Sequence, residues 1–268
     1  MVGILRAMRL AVPLAAAVLL LASCQKFAEV RTEKYPAAGC SSIIVGNLNG
    51  SIYIHPVDGD SIVIAASIEA WGRDALEGVQ VAFSSGPTAR IQVIAPSGFL
   101  NTATADLDLG IPAGIVIGDV QTTNGDVSSF GMNHNGVLLT TNGDIDASGC
   151  TGTTGLVTTN GDVSASGGSL VVFDALSTNG DVAVETAGLS ANGSTYETTN
   201  GDVGVFLPSR MDCVVDLSTT NGEVTVSGIQ YTGEVDDKGG RVILGQGGPV
   251  VTIGTTNGNV NLTGRTTP

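Results

Sequence analysis

From residue 120 onward, apolar positions in the chain follow a period of two, interrupted at regular intervals by the same polar corner. Aligned on the Asn of each Asn-Gly pair, the corners fall at Asn124, Asn142, Asn160, Asn179, Asn200, Asn221 and Asn257, spaced 18, 18, 19, 21, 21 and 36 residues apart. Three residues after each Asn stands a β-branched residue: Val127, Ile145, Val163, Val182, Val203, Val224 and Val260. Two positions further on come Ser129, Ala147, Ala165, Val184, Val205, Val226 and Leu262, and four residues before the Asn come Val120, Leu138, Leu156, Ala175, Tyr196, Leu217 and Ile253. Alternate positions facing one interior are the mark of a half-buried strand. Each repeat therefore reads as strand, corner, strand and a second, Gly-rich loop of variable length, such as SFGMNHNG or ETAGLSANGS. The 36-residue gap is two periods long, and Gly239-Gly240-Arg241-Val242 at its midpoint predicts a degenerate eighth register.

Two all-β architectures accommodate such a unit. In an antiparallel meander, each Asn-Gly would be a tight hairpin turn with both central residues at positive φ. In a parallel β-solenoid, each repeat of about 18–21 residues would be one coil, stacked about 4.8 Å from the next so that identical positions form ladders. The meander gives no reason for Thr-Thr-Asn-Gly-Asp to recur at one position. The stack does, because like side chains then pack on like and amides can hydrogen-bond along the axis. The sequence thus favours a β-helix-like solenoid, right-handed as parallel crossovers usually are, with the meander as the alternative.

Composition supports the same class, with 38 Gly and aromatics at only 4%. The N-terminus is set apart from the fold. Arg6 and Arg9 precede the apolar run LAVPLAAAVLLL, and Leu21-Ala22-Ser23-Cys24 follows. That segment resembles the bacterial lipobox, which implies a signal peptide over 1–23 and a lipid on Cys24. Gln25, rather than Asp, after the Cys implies the outer membrane as destination. Without Arg6 and Arg9, nine basic residues face 25 acidic ones, near −16. Nucleic acid is a poor partner for such a chain. The expected organisation is a lipidated Cys and linker over 24–40, N-terminal β coils over 41–110 and the Asn-Gly solenoid over 111–265. Cys40, Cys150 and Cys213 allow one disulfide or none.

The repeated T-T-N-G-D-V is accompanied by Ala105-Asp106-Leu107-Asp108-Leu109-Gly110-Ile111-Pro112, by Leu244-Gly245-Gln246-Gly247-Gly248, and by Asn49-Gly50-Ser51-Ile52-Tyr53-Ile54 followed by Ser61-Ile62-Val63-Ile64. Together these resemble the bacterial putative-adhesin, β-strand-repeat lipoprotein family of unknown function, over residues 40–265. The resemblance implies the solenoid fold and an envelope location, and says little about a partner.

Candidate chemistry centres on the acids after each Asn-Gly: Asp126, Asp144, Asp162, Asp181, Asp202 and Glu223, with Arg241 and Asn259 breaking the column. Carboxylates about 5 Å apart repel by roughly 0.8 kcal/mol at water's dielectric. One reading is a calcium ladder on Asp126, Asp144, Asp162, Asp181 and Asp202; but calcium-binding rolls carry an acid in both loops of each coil, and these loops do so in one. The favoured reading has each Asp capping its own turn by accepting backbone N–H bonds, and no cofactor. His55 and His134 fall in turn-like settings where a lone His is usually solvated. No GxSxG elbow, phosphate loop or metal-spaced Cys/His set is present. Trp71 and the four Tyr are scattered, which suits core or edge packing better than a long sugar platform. The expectation is a non-enzymatic, lipid-anchored envelope protein with a protein or glycan partner. The alternative is a polysaccharide-binding or polysaccharide-cleaving solenoid, with paired carboxylates in the long coils between Asn179 and Asn221, which contain Glu185, Glu197, Asp202, Arg210 and Asp212.

Overall fold

The computed structural model describes residues 25–95 and 103–265; the signal-like segment and Cys24 lie outside the described residues. The first part of the chain forms β1 (Lys26–Pro36), β2 (Ser42–Gly46), β3 (Ile52–Val57), β4 (Ser61–Trp71), the short helix α1 (Arg73–Gly78), β5 (Gln80–Ser84), β6 (Thr88–Ile94) and β7 (Ala103–Pro112). Repeats follow, each with one strand before the Asn-Gly corner and one after it. They are β8 (Val116–Gln121) and β9 (Val127–Phe130), β10 (Asn133–Leu139) and β11 (Ile145–Ser148), β12 (Thr151–Val157) and β13 (Val163–Ser166). Next come β14 (Ser169–Leu176) and β15 (Val182–Glu185), β16 (Ser194–Asn200) and β17 (Val203–Pro208), β18 (Cys213–Asn221) and β19 (Val224–Ser227). The chain closes with β20 (Thr232–Val235), β21 (Gly239–Leu244), β22 (Val250–Asn257) and β23 (Val260–Arg265).

The strands before the corners build a sheet of 12 and those after them a sheet of 11, and every pairing between repeats is parallel. This is the solenoid. The meander is excluded on a second ground, since among the described residues only glycines have positive φ, so no Asn occupies a hairpin turn of the kind a meander needs. The predicted columns line the space between the sheets: Leu138, Leu156, Ala175, Tyr196 and Ile253 from one, Val127, Ile145, Val163, Val182, Val203 and Val260 from the other, all buried. Full burial of each such aliphatic chain is worth about 1.5–3 kcal/mol. Tyr196 brings a hydroxyl into this core and donates it to the Val172 carbonyl at 2.7 Å.

The order of coils in the stack differs from their order in the chain at both ends. β6 and β7 pair outside β2 and β3 (Ile43 with Ala89, Ile52 with Leu107), while β8 and β9 take the other side. At the far end β22 and β23 insert between the β16/β17 coil and the β18/β19 coil. The expected eighth coil at Gly239 is corrected by this arrangement. β21 runs antiparallel to β18, with Gly240 opposite Leu217, and β20 runs antiparallel to β21. Having neither Asn nor acid, that segment cannot join the ladders that hold one coil on another. Val242 and Leu244 nonetheless remain buried, because reversing a strand preserves its period of two. Arg241, which interrupts the acidic column, lies opposite Asp216 and donates to both its oxygens at 2.6 and 2.7 Å.

The opposite end is also closed by antiparallel strands, β4 on β7 and β1 on β4 in one sheet, β5 on β6 in the other. Residues 26–36, expected to be linker, are thus the edge strand β1, whose mixed charges KFAEVRTEKYP suit an edge that must not recruit further strands. Arg31 ties β1 to α1 by donating to the Val79 and Leu76 carbonyls at 2.6 and 3.3 Å.

The corner glycines are fixed by close approach between coils. A Cβ on Gly161 would lie 2.0 Å from the Gly143 carbonyl oxygen, whereas one on Gly204, on the outer face of β17, would meet nothing within 4 Å. Gly161→Ala is therefore expected to cost about 2–4 kcal/mol in urea unfolding, and Gly204→Ala less than about 1 kcal/mol. Equal costs would place the requirement elsewhere.

Candidate functional site

Every residue of the repeated corner has a separate partner in the adjoining coil. The first Thr is buried and its hydroxyl donates to the preceding coil's Gly carbonyl: Thr140 to Gly125, Thr158 to Gly143, Thr198 to Gly180, Thr255 to Gly201 and Thr219 to Gly258, at 2.8–3.0 Å. The Asn amides form one continuous ladder. Nδ2 of Asn142 donates to Oδ1 of Asn124, and the pattern repeats through Asn160, Asn179 and Asn200, each at 2.8 Å. The swapped coils complete it, Asn257 donating to Asn200 at 2.7 Å and Asn221 to Asn257 at 2.8 Å. At the other end Asn124 donates to Asn49 at 2.6 Å. Asn49 is a rung the sequence reading missed, although Ile52 and Ile54 stand three and five residues after it, as in every other repeat.

The acids do not cap their own turns, as expected from local chemistry, but their neighbour's. Asp126 Oδ1 accepts the Asp144 N–H at 2.9 Å; Asp144, Asp162 and Asp181 accept from Asp162, Asp181 and Asp202, each at 2.8 Å. Asp202 accepts from Asn259 at 2.6 Å, and Asn259 Oδ1 accepts from Glu223 at 3.0 Å. An N–H aimed at each carboxylate offsets the repulsion between rungs, since hydrogen bonds to ionised acceptors are the stronger kind. Asn259 shows that a neutral amide oxygen can take the same position, at a slightly longer distance. Among the described residues no group of three or more His, Cys, Asp or Glu side chains is placed to hold a metal ion. Along the exposed ridge the second Thr, the Asn and the acid alternate in register across the coils.

A shallow groove of about 410 Å³ lies at the N-terminal end of the 11-stranded sheet, on its outer face. It is lined by Val30, Tyr53, Ala65, Asp106, Asp108 and Asp126, among others. Tyr53 is 44% exposed and stacks on His55, ring centres 5.3 Å apart. His55 Nε2 lies 2.9 Å from Asp108 Oδ1. Two of the three acids serve the frame: Asp106 accepts the Ser51 N–H at 2.8 Å and Asp126 belongs to the ladder.

The residues set aside for an enzyme are scattered. Glu185 pairs with Arg265, Glu197 stands on the outer face of the 12-stranded sheet, and Asp202 is a ladder rung. Only Arg210 and Asp212 share a shallow pocket, where Asp212 accepts the Gln246 N–H at 2.9 Å.

Both histidines lie in strands rather than turns. His134 is 1% exposed, not solvated as expected, because β10 begins inside what reads as a loop and directs it into the core. Its Nε2 lies 2.9 Å from Ser129 Oγ, and its buried Nδ1 has no partner. With both side chains sealed in the core and no acid on Nδ1, the pair has the contact of a hydrolytic dyad but neither its access nor its orienting carboxylate. Burial lowers the imidazole pKa to about 4. Among the described residues the three cysteines Cys40, Cys150 and Cys213 are free, the last two being buried, and burial pushes the Cys213 thiol up to about 11.

A Toastrack DUF4097 profile matches residues 42–263. The chain belongs to the Toastrack DUF4097 family. Among solved structures, this Toastrack chain is similar to a "putative cell adhesion protein" from Clostridium sporogenes ATCC 15579, at 11% identity, covering 89% of this chain and all of that one, with a TM-score of 0.35. It is likewise similar to a "putative adhesin" from Bacteroides fragilis NCTC 9343, at 17% identity, covering 88% and 97%, with a TM-score of 0.35. Among curated proteins none matches it.

Asp181→Asn keeps an oxygen acceptor for the Asp202 N–H and should change the melting temperature by less than about 2 °C, whereas Val182→Asp, one residue on and facing inward, should cost more than about 3 kcal/mol. For His134 the folded pKa lies below the unfolded value of about 6.5, so the unfolded chain binds the proton first and stability falls as pH drops from 6.5 towards 4. Between pH 7 and 5 the loss should be about 2 kcal/mol. Urea unfolding of wild type and His134→Leu at both values isolates this contribution, which the variant should lack.

Proposed function

We propose that this Toastrack protein is a non-enzymatic, lipid-anchored protein of the bacterial cell envelope, adhesin-like or scaffolding, which presents the polar face of its solenoid to a protein or glycan partner. The observation that carries the reading is the ridge of Thr, Asn and acid running in register through the stack. Its buried Thr, its amides and its carboxylate Oδ1 atoms are already committed to the neighbouring coil, while the second Thr hydroxyls and the outer carboxylate oxygens repeat at strand spacing towards solvent. Such a surface suits an extended, repetitive partner better than a single small substrate. The lipobox-like sequence ending at Cys24 supports anchoring, and Gln25 supports the outer membrane.

The Tyr53 groove favours a glycan as the partner. An exposed aromatic ring beside carboxylates offers an apolar sugar face and its hydroxyls their respective complements. No resident cofactor is proposed, calcium included, because the N–H bonds already serve the Asp column.

Mass spectrometry of the N-terminal peptide and membrane fractionation test the anchor. A glycan array with wild type and Tyr53→Ala tests the partner, the variant being expected to lose at least tenfold in binding. Calcium at millimolar concentration should move the melting temperature by less than about 5 °C. Reproducible turnover of any polysaccharide would overturn the non-enzymatic reading.

A further inference from the structure

The chain's only Trp, Trp71, is 53% exposed at the end of β4. Phe130 is equally exposed at the end of β9, but Trp71 carries the larger ring and stands beside the start of β1. Its surroundings are specific. The antiparallel register places Trp71 directly opposite Lys26, the first residue of β1, and the Gly72 N–H donates to the Gln25 carbonyl at 3.2 Å. The Arg73 guanidinium lies over the Phe27 ring, 5.1 Å from its centre. Lys26 bonds Glu69 at 2.5 Å, so its aliphatic stem lies along the same edge. Trp71, Lys26 and Glu69 share the outer face of the sheet, whereas Phe27, opposite the buried Ala70, turns towards the core with Arg73 over its ring; an exposed indole beside a long cationic side chain is a pairing that settles at the boundary between headgroups and acyl chains.

Position decides what covers it. Cys24 is two residues before Lys26, a reach of at most about 7 Å, and strand pairing puts the Trp71 backbone about 5 Å further on. We infer that the edge formed by the start of β1, the end of β4 and the start of α1 is a bilayer-docking surface, on which the Trp71 ring enters the headgroup region and sets the orientation of the solenoid. The inference rests on the proposed lipidation of Cys24. Acylation there keeps Trp71 within about 12 Å of the anchor. Attraction to anionic lipid is not the driving force, since Glu69, Asp74 and Glu77 outnumber Lys26 and Arg73 along this edge. Burial of the indole's apolar surface is. In this orientation the β18/β19 coil and Tyr231, 41% exposed near the opposite cap, point away from the membrane.

As the sole indole, Trp71 is its own reporter. The lipidated protein is reconstituted into phosphatidylcholine vesicles with or without brominated acyl chains. Bromination is expected to quench the emission by at least half, and vesicle binding to shift it to the blue and reduce acrylamide quenching. About 0.5 M NaCl should leave these changes intact. In Trp71→Phe/Tyr231→Trp, the reporter at the far cap should stay unquenched. Emission insensitive to bromination, loss of the effect in salt, or equal quenching at both caps would overturn the inference. The mass of the N-terminal peptide reports acylation separately. If Cys24 carries no lipid, the anchoring proposal fails; the docking surface is then tested in the same assay on a chain held to nickel-chelating lipid by a polyhistidine segment placed before Gln25.

Discussion

The stack depends on how closely one Asn-Gly corner can approach the next. At each rung the Gly carbonyl of one coil occupies the space that a Cβ of the following Gly would need, about 2 Å away in the central repeats. With no side chain there, the buried Thr hydroxyl of the next coil can reach that same carbonyl, and the Asn amide and the acid fall into register with their equivalents. Three ladders thus follow from one steric allowance. Each bond is worth only about 0.5–1.5 kcal/mol net, but they repeat at every rung, so stability is distributed along the stack as in other repeat architectures.

The same constraint sets the limits of the stack. Only a segment carrying the corner can add a rung, and the coil bearing Asn257 meets this condition on both faces, between Asn200 and Asn221. The segment at Gly239 does not, and closes the end as a hairpin instead. Antiparallel strands cover the opposite end as well, where polar β1 forms the outermost edge. The outer faces are left comparatively free of structural duty, and Tyr53, Phe130, Phe206 and Trp71 stand exposed there or on the caps. The groups that reach solvent accordingly lie along the ridge and on individual outward residues, while His134 and the buried thiols act as packing in the interior.

Much of this was legible in the residues. The period of two and the recurrence of Thr-Thr-Asn-Gly-Asp were enough for an all-β parallel solenoid, for the buried columns and for seven of the ladder positions. The eighth, Asn49, was hidden because Asn47 stands where the other repeats have Thr or Ser; its amide instead donates to the Gly50 and Ala105 carbonyls at 3.0 and 2.8 Å. His134 was misplaced because a Gly- and Asn-rich stretch reads as loop, whereas parallel pairing on both sides recruits it into β10. The groove at Tyr53 could not be read at all, since Asp106 and Asp108 reach it from β7 and Asp126 from a corner, all distant in sequence from Tyr53.

By itself the sequence determined the unit: which residues turn inward, where each corner falls, and that like must stack on like. These are local properties, set by the alternation of side chains on a strand and by the chemistry of five consecutive residues. Only the tertiary structure decided the order of the coils, the direction of β21, and that each Asp serves its neighbour's backbone and not its own. Those outcomes depend on which segments compete for the same open edge, and hydrogen bonds between coils are indifferent to whether the chain reaches its neighbour after 18 residues or after 57.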